Sequence, residues 1–355
     1  MLSRFIALPV ANLNRVTIAD EWHDHTDDSA FTNAGARSAL RFAADAAEMV
    51  GDDAAPCAAW RQLAERLTII YNESTNVTAE FAGYDGGAKP HGQNCSWPNE
   101  GTCIVSAGTL SATVDSVRLT LALSVQKQAD TVLLQYPLDV VNQSQALSAR
   151  NLEYYGPRVD VAGGPAMTWS VHTIGYLRIG QPERAHSFFN RSCKTGDAFR
   201  IRRAFRLANL RSIPTFAADQ NNVRTAEFGV WDEVSIGKGC DHFTTGPGGF
   251  LQALTHGYCG AKPGDEVLTL HQPSLPEHAD SLKLRRFAYL GSRLSLTVER
   301  GGVSLVLEEE EGNAVGEAAA TLEVKSDAAA DFVPLVAGQE RRFAAGSTLV
   351  LRGRQ

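Results

Sequence analysis

Apolar residues recur at helical spacing through the first two thirds of the chain and at alternate positions through the last third. Residues 33–50 are rich in alanine, place Leu40, Ala43, Ala44, Ala47 and Val50 on one side, follow Thr32 and stop at Gly51. That combination predicts a helix with both start and stop signals. Residues 58–67 repeat the pattern through Trp60, Leu63, Ala64 and Leu67. Residues 167–179 predict a further helix ending at Gly180, and 249–258 another, entered through the Gly-Pro-Gly-Gly stretch that starts at Gly246. Past about Pro263 the period changes. Leu282 and Leu284, then Leu294, Leu296 and Val298, then Val303, Leu305 and Leu307 alternate with polar residues, with glycine-containing turns between them. A helical region followed by a small antiparallel β unit is the expected architecture.

Two stretches break this order. Residues 88–125 mix Ser, Thr and Gly without a helical period, and 194–227 open on a run containing Arg200, Arg202, Arg203, Arg206 and Arg211. The run lacks interleaved aromatic rings, so it reads as a solvated loop and not as a nucleic-acid surface. Charge agrees: 40 acidic against 33 basic residues, net −7 over 355 residues, favours neither nucleic acid nor an anionic membrane as partner. No apolar stretch approaches the roughly 18 residues of a membrane span, and residues 5–11 are shorter than an export-signal core. The six cysteines are irregularly spaced and contain no Cys-x-x-Cys pair, which indicates neither a zinc site nor a disulfide framework. Sequons at Asn72, Asn76, Asn94, Asn142 and Asn190 matter only on a secretory route, and compartment stays open.

Two acidic clusters carry candidate chemistry. The segment Asp20-Glu21-Trp22-His23-Asp24-His25-Thr26-Asp27-Asp28 packs four aspartates, one glutamate and two histidines into nine residues. Three readings are open on these residues alone. A carboxyl beside an aromatic ring, as Glu21 beside Trp22, keeps its proton more readily and suits a general acid. His23 and His25 with a nearby aspartate suit a metal. A polar loop capping the next helix is the third. The second cluster, Phe228-Gly-Val-Trp-Asp-Glu233, again sets a carboxylate after a tryptophan, and Asp241 and a Gly-Pro-Gly-Gly turn follow. Two carboxyl groups flanked by sugar-stacking rings meet the specification of a glycosidase. No Gly-Lys-Ser/Thr follows the glycines and no Gly-x-Ser-x-Gly elbow occurs, which excludes a nucleotide loop and a serine hydrolase of that type.

In chain order, these segments resemble the catalytic domain of family 65 glycoside hydrolases. The resemblance rests on Asp20-Glu-Trp-His23 with Phe31-Thr-Asn33, on Lys127-Gln128-Ala-Asp130 with Leu133-Leu-Gln-Tyr-Pro137, and on Gly164-Pro-Ala-Met-Thr-Trp-Ser170. It continues through Phe228-Gly-Val-Trp-Asp-Glu233 and 243–252, and ends on Leu268-Thr-Leu-His-Gln-Pro-Ser-Leu-Pro276, similar to the family's entry into its C-terminal β unit. The resemblance implies a mainly α fold: a partial (α/α)6 barrel over 1–262, with insertions at about 88–125 and 194–227, then a β-sandwich-like domain over 263–355. The Val-Trp-Asp-Glu form resembles the hydrolase branch, with a glucosylgalactosyl-hydroxylysine or trehalose-like α-glucoside as substrate.

By the same resemblance Glu21 is the general acid and Glu233 the general base that activates water, with inversion at the anomeric carbon. Inversion needs the carboxyl groups roughly 6.5–9.5 Å apart. Lys127 and Gln128 are expected to hold glucose hydroxyls, with Trp22 and Trp231 beside the sugar, and neither cofactor nor metal is implied. Family members place the acid motif midway through the barrel, whereas here it begins at residue 20, so the upstream half barrel is expected to be missing from this chain. The two irregular stretches interrupt family motifs, as insertions or translated intervening sequence do. A non-catalytic carbohydrate-binding remnant and a phosphate-dependent disaccharide phosphorylase are the contrasting readings.

Overall fold

The computed structural model describes residues 10–20, 23, 25–51, 54–84, 126–139, 144–159, 164–192, 223–225, 230–234, 239–240, 242–308 and 321–354. Glu21, Trp22, Asp24 and Asp241, the whole of 88–125 and most of 194–227 lie outside them. The chain forms two compact units, 1–172 and 173–355.

Unit one opens its helical part with α1, Ala30–Met49, and α2, Ala54–Arg66. Ser29 caps α1, its side chain accepting from the backbone of Thr32, and Gly51 beyond its end takes φ +73°. The start is therefore three residues earlier than the apolar pattern indicates, because Thr32 receives the cap instead of providing it. Arg41 pairs with Glu65 at 2.6 Å and Arg61 with Asp45 at 2.5 Å, a register that runs the two helices antiparallel. These exposed pairs set register more than they stabilise. A short hairpin of β1, Tyr71–Asn72, and β2, Val77–Thr78, follows, then a 3-10 turn at Thr131–Leu134 and α3 at Gln145–Tyr155. Ala30, Ala34 and Leu134 form a small core with Ile69 and Leu138 packed on it.

Helix α3 has no counterpart among the predicted helices. The residues it buries are Ser148, Asn151, Leu152 and Tyr155, so its inward stripe has helical spacing but is half polar. Those polar groups are spoken for: Asn151 accepts from the Thr78 amide at 2.9 Å, and the Tyr155 hydroxyl donates to the Thr78 carbonyl at 2.6 Å. Helix α4, Ala166–Arg178, begins in unit one and ends in unit two, with Gly180 at φ +74° just beyond it.

Unit two continues through α5, Pro182–Ser192, the strand pair β3, Val223–Thr225, with β4, Val230–Trp231, and α6, Thr245–Gln252, which runs on as a π turn over Ala253–Tyr258. Phe189 of α5 stacks on Phe250 at 5.4 Å and meets Tyr258 edge-on at 5.0 Å. Then come β5, Ala261–Pro263; β6, Val267–Leu270; β7, Ser281–Tyr289; β8, Ser292–Glu299; and β9, Gly302–Leu307. The remainder is β10, Leu322–Ser326; β11, Val333–Pro334; β12, Glu340–Ala344; and β13, Leu349–Gly353. They form antiparallel sheets of order β11-β10-β13-β6-β5 and β12-β9-β8-β7. Each buries one face, through Leu268, Leu270, Leu322, Val324, Leu349 and Leu351 in the first and Leu294, Leu296, Val298, Val303 and Leu305 in the second. The Tyr289 hydroxyl on the Leu351 carbonyl, 3.3 Å, ties the two. Helices plus antiparallel sheets, with the period change where the sequence places it, are thus what the chain builds.

Candidate active site

The candidate residues fall into two groups, one in each unit. In unit one the stretch before α1 is pinned by aspartates acting on backbone N–H groups, an arrangement short acidic side chains favour. Asp28 accepts from Leu13 at 3.1 Å and from the Asn33 side chain at 3.2 Å, and Asp27 accepts from Arg15 at 2.8 Å. Asp20, wholly buried, engages both carboxylate oxygens: Oδ1 accepts from the Lys127 amide at 3.0 Å, and Oδ2 lies 3.0 Å from His23 Nδ1. Its own N–H donates to Asp130 Oδ2 at 3.3 Å, and the buried Gln128 side chain donates to the Ala19 carbonyl. The His23 ring packs on Phe81 at 5.2 Å and Tyr84 at 6.4 Å. Lys127 is half-buried.

Behind this lies Glu80, with no exposure, and neither of its oxygens meets a hydrogen-bond donor among the described residues. Burial, then the charges of Asp130 and Asp20, holds its carboxyl well above the usual range. Burial likewise pushes Asp130 up to about 7, and the same enclosure, with Glu80 adding its charge, drives the Tyr84 and Tyr155 hydroxyls far above an ordinary phenol. Asp20, His23 and Glu80 bring one ligand-type atom each within 4.8 Å of one another, a donor set that suits a divalent cation. Asp20 already spends both oxygens, so Glu80 and Asp130 Oδ1 are the groups that need a proton or a cation. The sequence singles out Asp20, His23 and Asp130 only as parts of motifs. Glu80 carries no signal beyond being a carboxylate between Ala79 and Phe81.

In unit two, Trp231 is buried, packs on Phe250 at 5.6 Å and donates its indole N–H to the Ser192 carbonyl at 2.8 Å. Its carbonyl accepts from Phe243 at 2.7 Å. Asp232 is wholly buried and Glu233 half-buried. Glu233 is held by a two-way bond with one residue: its N–H donates to the Cys240 carbonyl and its Oε2 accepts from the Cys240 N–H, each at 3.0 Å. Gly239 makes this closure possible. It sits at φ +78°, and a Cβ there lies 2.7 Å from Glu233 Cβ and 2.9 Å from Oε2. Gly239→Ala is expected to cost about 1–2 kcal/mol of backbone strain and to move the Glu233 carboxylate as well. Gly51→Ala is the control, since φ is +73° there but the space is open. The unfolding midpoint should fall in both, and amide exchange at Cys240, whose N–H is held by Glu233, should quicken only in Gly239→Ala.

Thus the structure gathers Lys127 and Gln128 around Asp20 and His23, and separately gathers Trp231 and Glu233. The helical region matches the model of the glycosyl hydrolase family 65 central catalytic domain over residues 8–199, more than half of the chain. The chain belongs to that family. Among curated relatives it is 29% identical over 279 residues to the protein-glucosylgalactosylhydroxylysine glucosidase of Danio rerio, covering 79% of this chain and 32% of that protein. It is 28% identical over 273 residues to a kojibiose hydrolase of Mucilaginibacter mallensis (77% and 30%), and 25% identical over 297 residues to a periplasmic/secreted acid trehalase of Candida glabrata (80% and 20%). The chain therefore spans a third or less of the length of these relatives. A solved chain from the human microbiome, named as a kojibiose phosphorylase, superposes with TM-score 0.57 at 15% identity over 94% of this chain and 40% of its own, which shows a shared fold.

Proposed function

We propose that this chain carries the acid and base of an inverting α-glucoside hydrolase. Glu21 protonates the leaving glycosidic oxygen and Glu233 takes a proton from the attacking water. Lys127 and Gln128 bind glucose hydroxyls, and Trp22 and Trp231 border the sugar. In this reading residues 1–262 form part of an (α/α)6 barrel, interrupted at about 88–125 and 194–227, and 263–355 form a C-terminal β domain. The carrying observation is that the cited relatives, matched over most of this chain, are named as a glucosidase, a kojibiose hydrolase and an acid trehalase. The buried anchors on either side of Glu21 and the two-way hold on Glu233 add a physical support, because acid–base groups work only when positioned.

The test is glucose release from kojibiose, trehalose and glucosylgalactosyl-hydroxylysine, each with and without inorganic phosphate. Glucose formed at the same rate in both conditions is expected. Glucose 1-phosphate as product makes the chain a phosphorylase, and sugar binding without turnover makes it a binding remnant.

A further inference from the structure

The residues leading into Glu21 are tied to one other segment of the chain by bonds that run in both directions. Asp20 donates its N–H to Asp130 Oδ2 at 3.3 Å, while Lys127 donates its N–H to Asp20 Oδ1 at 3.0 Å. Gln128 holds the carbonyl of Ala19, and Asp20 Oδ2 reaches His23, two residues beyond Glu21. Asp130 is the member whose role is not explained by local structure. It stands at the N-cap of the 3-10 turn Thr131–Leu134, where an aspartate ordinarily caps, yet its side chain makes no cap bond. The carboxyl is directed instead to a backbone N–H 110 residues away. With 1% exposure, it has no route to a sugar.

We propose that Asp130 is a positioning residue for the acid-bearing segment: its carboxyl fixes the backbone that leads into Glu21. The catalytic meaning of this role rests on the hydrolase reading, but the hydrogen bond itself does not. Asp130 Oδ1 and both oxygens of Glu80 share one enclosure without a donor among the described residues, and a buried unpaired charge there is costly. Holding the Asp20 N–H needs only an acceptor oxygen at this position. Asparagine is its isostere, keeping an oxygen for the Asp20 N–H, whereas alanine removes the acceptor.

The experiment compares Asp130→Ala and Asp130→Asn in the full chain by steady-state kinetics on the best α-glucoside and by amide hydrogen exchange at Asp20. Asp130→Ala is expected to lower kcat by about 100-fold, the cost of misplacing a catalytic group by an ångström, with KM unchanged. Exchange at Asp20 should become faster, and Asp130→Asn should recover most of both losses. Asp130→Asn as impaired as Asp130→Ala, a loss carried by KM, or Asp20 exchange that ignores both substitutions overturns the proposal. Where Asp130→Ala does not fold, Asp130→Asn decides alone: slow Asp20 exchange retained supports the role, and fast exchange in a folded variant overturns it. A wild-type chain without turnover refutes the hydrolase reading only, because the exchange measurement still decides whether Asp130 holds Asp20.

Discussion

Glu21→Gln is expected to lower the rate of glucose release by about 10²–10⁴-fold, the range supplied by a positioned general acid. A glutamine keeps the shape and the hydrogen-bonding oxygen but has no proton to give to the leaving oxygen. Binding of the ground-state glucoside does not need that proton, so KM should stay close to wild type while kcat falls. Glu233→Gln should lose a comparable factor for the opposite reason, since the amide cannot accept a proton from water. The double variant should fall little below the worse single one, because acid and base act in one transition state. A Glu21→Gln chain with wild-type kcat removes Glu21 from the mechanism. A leaving group that is itself a weak base, such as a nitrophenolate, needs little protonation and should partly rescue Glu21→Gln but not Glu233→Gln.

Raising pH from about 5 to about 8 should lower the thermal unfolding midpoint, and Glu80→Gln should flatten that dependence and raise the midpoint at the alkaline end. The cause is the buried pair Glu80 and Asp130, both held above the ordinary carboxylate range by burial first. In the unfolded chain these carboxyls lose their protons near pH 4. In the folded chain Asp130 keeps its proton up to about 7 and Glu80 also keeps its own well above the usual value. The folded state then binds more protons than the unfolded one. Stability is full below the unfolded values and declines as pH rises through the folded ones, at up to about 1.4 kcal/mol per pH unit per group. Glu48, Glu65 and Glu340 are shifted the other way by arginine and serine partners, but they are exposed and act below this window. A midpoint that holds steady, or a Glu80→Gln chain that follows wild type, contradicts the buried-proton account.

How far the sequence reveals the fold differs from element to element. The β unit is legible because the apolar residues of β8 and β9 recur at alternate positions and are the buried ones, Leu294, Leu296 and Val298 in one strand and Val303 and Leu305 in the other. Helix α1 is legible from its alanine-rich run and its glycine stop instead, since of the expected apolar side Ala44 is buried but Val50 is exposed, and its start is displaced by the cap at Ser29. Helix α5 goes unpredicted although its signals are present: Pro182 and Glu183 open it, and Ala185, Phe188, Phe189 and Ser192 make the buried stripe. Helix α3 is hidden for a better reason, since Ser148 and Asn151 face inward and Asn151 serves Thr78 of the hairpin. Helix α6 begins inside the Thr245-Gly-Pro-Gly-Gly stretch that reads as a turn. There tertiary packing overrides propensity, because a Cβ at Gly246 would stand 2.9 Å from Trp231 Cβ.

The candidate site divides in the same way. Residues proposed to meet a substrate carry motif signals, and of these Lys127, Gln128, Trp231 and Glu233 lie among the described residues. The buried carboxyls behind the first of those motifs are barely legible. Glu80 and Asp130 matter because they are buried next to Asp20, and nothing in a local window of sequence states that residues 20, 80 and 130 meet. Only the fold brings those carboxyls into one enclosure, where the protons of Glu80 and Asp130 become part of its stability.

The anomeric configuration of the glucose first released from glucosylgalactosyl-hydroxylysine, whose aglycone is not itself glucose, read by proton NMR before mutarotation scrambles it, tests the central claim most directly. Water activated by Glu233 attacks the face opposite the bond that Glu21 protonates, so the account predicts β-glucose as the initial product. Initial α-glucose would mean retention through a covalent intermediate and would contradict the assignment of Glu233 as a base.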